Sequence, residues 1–214
     1  METDKTLIVY NVFYEENMFQ KNHSNKRERI LLAAREKFFI LGYSKVTMNE
    51  LASELNISKR TVYYLYKNTN ALLDAVIDHF FQEFQNNINK IINNKNEKAL
   101  TSLKQIISLI QKQTAKFSIH AFEDIRKNNP EAWQRISNLR EKMFNKQLRK
   151  LLNKAKEEGM VREDIDVEII ILIILNTIQS VVNPEVISGL SYSTEEVIDM
   201  LSKFIISGMI KPNQ

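Results

Sequence analysis

Apolar residues recur at steps of three and four along most of this chain, the spacing that lines one face of an α-helix. Ile30, Ala33, Ala34, Phe38 and Leu41 form the first stripe. Gly42 follows directly and is suited to close a helix in the left-handed conformation. Thr47-Met48-Asn49-Glu50 has the spacing of a capping box, in which the Thr oxygen and the Glu carboxylate each satisfy a free amide. Met48, Leu51, Ala52 and Leu55 then carry a helix of about two turns. Asn56 tolerates the left-handed conformation of a tight turn, Ile57 is apolar, and Ser58 is a good N-cap. The pattern predicts a short helix, a turn of about three residues, and a second short helix.

A longer stripe, Leu72, Leu73, Val76, Ile77, Phe80, Phe81 and Phe84, opens behind Asn68 or Thr69 and fades in "NNKNEK" at 93–98. Beyond it the spacing predicts helices over 99–116, 118–127 and 130–158. The last has Pro130 at its first position behind Asn129 and Gly159 at its end. Asp166 introduces an apolar helix over 167–182, and Ser193-Thr194-Glu195-Glu196 is a second capping box, for 194–210. No segment alternates as a strand does, and no repeat is present. Residues 1–25 have no helical period, end in the polar "QKNHSN", and are expected to be a flexible extension. The fold class is all-α.

The second short helix, "SKRTVYYLYK", divides its tyrosines. With Lys59 at 0° and about 100° per residue, Lys59, Tyr63, Lys67, Arg60 and Tyr64 fall between about 0° and 140°. Val62, Leu65 and Tyr66 fall between about 240° and 340°. Tyr66 is therefore expected in the core beside Val62. Tyr63 and Tyr64 face outward with the cations, either as half-buried surface rings with wet hydroxyls or as contacts to something outside the protein.

Composition narrows the choice. Four glycines in 214 residues, Gly42, Gly159, Gly189 and Gly208, are too dispersed for a Gly-rich phosphate loop. With no cysteine there is no disulfide or thiolate chemistry. The most apolar run, Ile169 to Leu175, falls well short of the roughly 20 residues of a membrane span. The start "METDKT" is acidic where a signal peptide is basic. A soluble, cytoplasmic protein without a membrane partner is expected. The net charge of +4 is unevenly placed: residues 26–70 hold nine Lys/Arg against four Glu, and the rest hold 21 against 22 acidic residues. A positive excess confined to 45 residues suits a polyanionic partner.

The segment "TMNELASELNISKRTVYYLYKNTNALLDAV" resembles the DNA-binding part of the TetR family of bacterial transcriptional regulators. The matching positions are Thr47, Leu51-Ala52, Ser58, Thr61-Val62-Tyr63, Tyr66 and Ala71-Leu72-Leu73. They lie in one register within about 50 residues. The resemblance implies a helix-turn-helix domain over 26–70, a connecting helix over 71–96, and an effector-binding and dimerisation domain over 97–214. It also implies a recognition helix in the major groove of an operator duplex. Lys59 and Arg60 would then meet base edges, Thr61 and Tyr63 phosphates, and Tyr64 the sugar-phosphate backbone. Thr47 and Ser58 would cap the two helices beside the DNA, and Met48 and Asn49 would approach the groove. The family usually has Lys where Thr69 stands; Lys67 is the substitute phosphate contact. Arg60 and Leu65 also depart from the family pattern, which leaves base preference open.

For the C-terminal half the resemblance implies a homodimer and a small, largely apolar effector that releases a repressor from DNA. A helix apolar on all sides must be buried on all sides, so Ile170, Ile171, Ile174 and Ile178, with Val197, Leu201, Phe204 and Ile205, are the expected dimer interface; a central helix of a monomeric bundle is the competing reading. Asn176 and Gln179 are either satisfied core amides or donors facing a pocket. Phe117, His120, Phe122, Trp133 and Phe144 either line that pocket or are ordinary core. No cofactor or metal is expected, because His23, His79 and His120 are isolated. Glu123 and Asp124 are adjacent and point about 100° apart, so paired acid-base catalysis is not expected. A helical protein-interaction adaptor would explain the helices but not the segregated charge.

Overall fold

The computed structural model describes residues 25–181 and 184–211. The extension expected at 1–25 lies outside the described residues apart from Asn25, which begins the first helix. The helices are α1 (25–41), α2 (Met48–Glu54), α3 (Lys59–Leu65), α4 (Thr69–Ile92), α5 (Ala99–Thr114), α6 (Ile119–Asn128), α7 (Pro130–Glu157), α8 (Val167–Val181), α9 (Pro184–Ser188) and α10 (Thr194–Met209). No strand occurs among the described residues; one isolated bridge pairs Val161 with Ile210. Apolar periodicity anticipates every helix except α9, whose five residues are too few to show a period.

Two compact units divide the chain. One holds the residues up to Lys37 with Val46–Val76, and the other holds Phe38–Lys45 with everything from Ile77 onward. In the first, Ile30 and Ala34 of α1 are buried with Leu51 and Ala52 of α2, Val62 of α3, and Leu72, Leu73 and Val76 of α4. The turn between α2 and α3 closes through the Ile57 amide, which donates to the Ala52 carbonyl at 2.9 Å. Asn56 takes φ 53° there, the left-handed geometry its side chain tolerates. Thr47 Oγ1 accepts the Glu50 amide at 3.2 Å, and Ser58 Oγ accepts the Thr61 amide at 3.1 Å. Each such cap stabilises its helix by about 0.5–2 kcal/mol. Tyr66 is 3 % exposed; its hydroxyl donates to the Arg27 carbonyl at 3.1 Å, and the Arg27 guanidinium lies 4.8 Å from the ring centroid. Burial raises the Tyr66 phenol above its ordinary pKa, so it stays protonated and keeps that donor.

The second unit is a bundle whose core joins Phe84, Ile88 and Ile92 of α4, Leu103 and Ile106 of α5, Phe144, Leu148, Leu151 and Leu152 of α7, and Ile170, Ile171 and Ile174 of α8. Side-chain pairs fix the register. Arg135 bonds Asp78 at 2.5 Å, the Phe84 and Phe144 rings lie 6.3 Å apart, and Gln147 bonds Asn89 at 2.9 Å, so α4 and α7 run parallel. Lys154 of α7 donates to the Glu97 carbonyl just before α5, and Glu158 accepts the Ala99 amide, so α5 and α7 run antiparallel. Gly159 ends α7 with φ 69°, and Gly42 ends α1 with φ 91°. Directly after Gly42, the Ser44 amide and hydroxyl donate to the two Asp124 oxygens of α6 at 2.7 and 2.6 Å, while Asn128 donates to Asp124 at 2.7 Å.

Candidate nucleic-acid interface and effector region

The rotation of α3 about its axis separates its residues sharply. Val62 is fully buried, and Tyr66 just beyond the helix is nearly so, whereas Tyr63 is 47 % and Tyr64 73 % exposed. Lys59, Arg60 and Lys67 are exposed on the same side. None of the three cations has an ion-pair partner among the described residues, so their charge is available to an external anion. Thr61 is half-buried, its hydroxyl 2.8 Å from that of Ser58. Asn49 is exposed at the start of α2, Thr69 begins α4, and Asn68 Oδ1 accepts the Ala71 amide at 2.8 Å.

Met48 departs from expectation. It is 3 % exposed and belongs to the core of its unit, so it cannot reach a groove as its neighbour Asn49 can. Its place in the i, i+3, i+4, i+7 stripe with Leu51, Ala52 and Leu55 is the reason.

In the second unit the aromatic residues form a continuous run. Trp133 meets Phe122 at 6.2 Å, Phe122 meets Phe117 at 4.8 Å, and Phe117 meets Phe80 at 5.3 Å. Phe80 then stacks on Phe84 at 5.9 Å, which meets Phe144. Phe117, Phe122, Trp133 and Phe144 are thus connected, with Phe80 and Phe84 as intermediates. His120 is not among them: its side chain is 85 % exposed and lies 3.7 Å from Glu123. Asn176 is also exposed and donates to the Leu172 carbonyl one turn back. Both leave the pocket-facing set. The Gln179 side chain lies outside the described residues.

The apolar helix α8 has two faces. Ile170, Ile171 and Ile174 are buried in the core of their own unit, while Ile169, Leu172 and Ile173 are about half exposed. On α10, Val197 is buried, Leu201 and Ile205 are half-buried, and Phe204 is 78 % exposed with Met200 also outward. Ile178 is half-buried. Three of the four α8 positions expected to meet a partner therefore point inward. A helix apolar all round offers no polar stripe from which to tell its two faces apart.

Comparison with known proteins follows this division. The profile for bacterial regulatory proteins of the tetR family matches residues 30–76, and that for the C-terminal region of YsiA-like proteins matches residues 73–208. The chain belongs to the TetR family. Its helix-turn-helix unit makes it a DNA-binding transcriptional regulator. The HTH-type transcriptional regulator YvaF of Bacillus subtilis (strain 168) is 24% identical over 163 residues, 76% of this chain and 85% of that one. Among solved structures, the fatty acid degradation regulator FadR from Bacillus halodurans superposes with TM-score 0.66 at 22% identity, covering 86% of this chain and 95% of that one. FadR from Bacillus subtilis, in complex with stearoyl-CoA, gives 0.64 at 22% identity, covering 85% and 98%. These likenesses establish the TetR fold. Among the described residues, no helix is long and apolar enough to cross a membrane.

Proposed function

We propose that this TetR-family regulator is a repressor that binds a near-palindromic operator as a homodimer and releases it when a small apolar effector occupies the C-terminal half. The observation that carries the DNA reading is the outer face of α3, where Lys59, Arg60, Tyr63, Tyr64 and Lys67 are exposed together. Arg60 and Lys59 suit guanine O6 and N7 in the major groove. The tyrosine hydroxyls, Thr61 and Lys67 suit phosphates, which position the helix without reading sequence.

The exposed apolar residues Ile169, Leu172, Ile173, Met200 and Phe204 support a dimer, since apolar surface of this kind is characteristic of an interaction face. Two recognition helices about 34–36 Å apart would then read successive turns of one duplex face. The aromatic run from Trp133 to Phe144 supports an elongated apolar effector, and stearoyl-CoA, the ligand of B. subtilis FadR, is a precedent for one.

Selection from a random duplex pool is the direct test, followed by binding to the selected site at graded salt. The expected result is an inverted repeat and a log–log salt slope of roughly −5 to −9, as for three to five phosphates neutralised per subunit. No duplex binding at about 50 mM salt, with or without candidate effectors, would remove the regulator reading in favour of a protein-binding adaptor.

A further inference from the structure

Arg140 sits on the wrong face of α7 for a surface arginine. It precedes Phe144, Gln147 and Leu151 by four, seven and eleven residues, and all three are buried. That spacing puts its stem on the core side of the helix. It is itself only partly exposed, and it has neither a hydrogen-bond nor an ion-pair partner among the described residues. Desolvation lowers its pKa, and no carboxylate opposes that effect. Arginines so placed are ordinarily paired, because an uncompensated buried charge is costly.

Arg140 is not alone at its level of the bundle. The pairs Asp78–Arg135 and Phe84–Phe144 bracket it along α4, and His79 lies inside that bracket. Counting back along α7 from Lys154, which is level with Glu97, brings Arg140 level with roughly Gln111 to Gln113 of antiparallel α5. His79 Nδ1 and Gln113 Oε1 are both buried without a hydrogen-bond partner. Three helices thus present polar groups with unmet bonding capacity at one height, beside the aromatic run. Buried polar groups are nearly always satisfied, so each exception needs a reason.

We infer that Arg140 is the anion-binding residue of the effector site, and that the effector is an apolar molecule carrying an oxyanion, a carboxylate or a phosphate, which the guanidinium grips. Gln113 and His79 then supply or accept the neighbouring hydrogen bonds. This inference rests on the C-terminal half binding an effector. It adds the charge of the ligand and the residue that reads it. A guanidinium fork matches a carboxylate or phosphate in two parallel bonds, and the free protein holds the charge uncompensated until that anion arrives.

The test compares wild type with R140M and R140K, using decanoate, decanoyl-CoA below its micelle concentration, and methyl decanoate as a neutral control. Thermal unfolding and Trp133 emission are the readouts, Trp133 being the only tryptophan. Without ligand, R140M should melt higher than wild type by a few degrees, since it keeps the stem and removes the unmatched charge. In wild type an anionic ligand should raise the melting temperature and perturb Trp133, with affinity roughly 10- to 100-fold above that of the ester. R140M should bind anion and ester alike, and R140K should retain part of the difference. Response to decanoate assigns the carboxylate, and response to the thioester alone assigns the phosphates. Three outcomes overturn the inference: R140M melting below wild type, an unchanged anion preference in R140M, or no response of wild type to either anion. Duplex binding is measured separately. Its failure would remove the regulator reading without touching the anion result.

Discussion

Alanine at Gly42 should destabilise the protein far more than alanine at Gly159, although both glycines end helices with positive φ. Gly42 has φ 91° and Gly159 φ 69°, and either backbone strains an L residue by about 1–2 kcal/mol. The smaller entropy of an unfolded chain with alanine returns about 0.4–1 kcal/mol in both. What separates them is space. A Cβ at Gly159 meets nothing within 4 Å, whereas one at Gly42 would stand 2.7 Å from Asp124 Oδ2, 2.9 Å from its Cβ and 3.0 Å from its Cγ. Asp124 must retreat, and with it go the bonds from the Ser44 amide and hydroxyl. Hydrogen bonds to a charged group contribute about 1.5–3 kcal/mol each, and partial exposure of this site favours the lower end. The expected cost is about 3 kcal/mol for G42A and about 1 kcal/mol for G159A. At about 2–4 °C per kcal/mol, thermal unfolding followed by circular dichroism resolves the two easily. Equal melting temperatures for G42A and G159A would refute the view that Asp124 holds the chain after α1 in place.

Other substitutions test other parts of the molecule. The Asp124 carboxyl is drawn upward by burial but held below its ordinary value by the bonds from Ser44 and Asn128 and from the Tyr43 backbone. Its contribution is therefore present above the ordinary aspartate pKa near 3.8 and fades as pH falls through the folded value. D124N should accordingly lie below wild type in melting temperature at pH 6 and converge with it near pH 3. Tyr63→Phe should weaken every duplex alike, by a factor of a few, whereas Arg60→Ala should change which bases the selected site contains; binding to matched and mismatched duplexes distinguishes them. Leu172→Asp and Phe204→Asp should shift the protein toward monomer in sedimentation while leaving its melting temperature within a few degrees. Ile174→Asp, which buries an unpaired charge, should cost about 3–5 kcal/mol and unfold the second unit.

The helix-turn-helix was legible because its determinants are local. Capping at Thr47 and Ser58, the left-handed Asn56 and the stripe from Met48 to Leu55 all act within one or two turns of chain. Where periodicity and resemblance disagreed, at Met48, periodicity decided: a residue in phase with Leu51 and Leu55 goes inward whatever its relatives do. The inner and outer faces of α8 were not legible, because isoleucines and leucines occupy both and only the packing of α7 and α4 selects Ile170, Ile171 and Ile174. His120 and Asn176 read as pocket donors from composition alone; their helical phase carries them to the surface. Arg140, Gln113 and His79 gave no signal at all, since a polar residue on an amphipathic helix looks like surface until the neighbouring helices are placed against it.

Only Val62 of the seven residues of α3 is fully enclosed by protein. The helix is held by its Ser58 cap, by that one valine, and by Tyr66 just past its end. Every outward position can therefore mutate with little penalty to folding, so sequence preference and structural integrity are nearly decoupled here. A lineage carrying this scaffold can change the operator it recognises by one or two substitutions at positions 59, 60, 63 and 64 without first acquiring a compensating change elsewhere. Duplicated copies of such a gene would be free to diverge in target long before they diverged in fold.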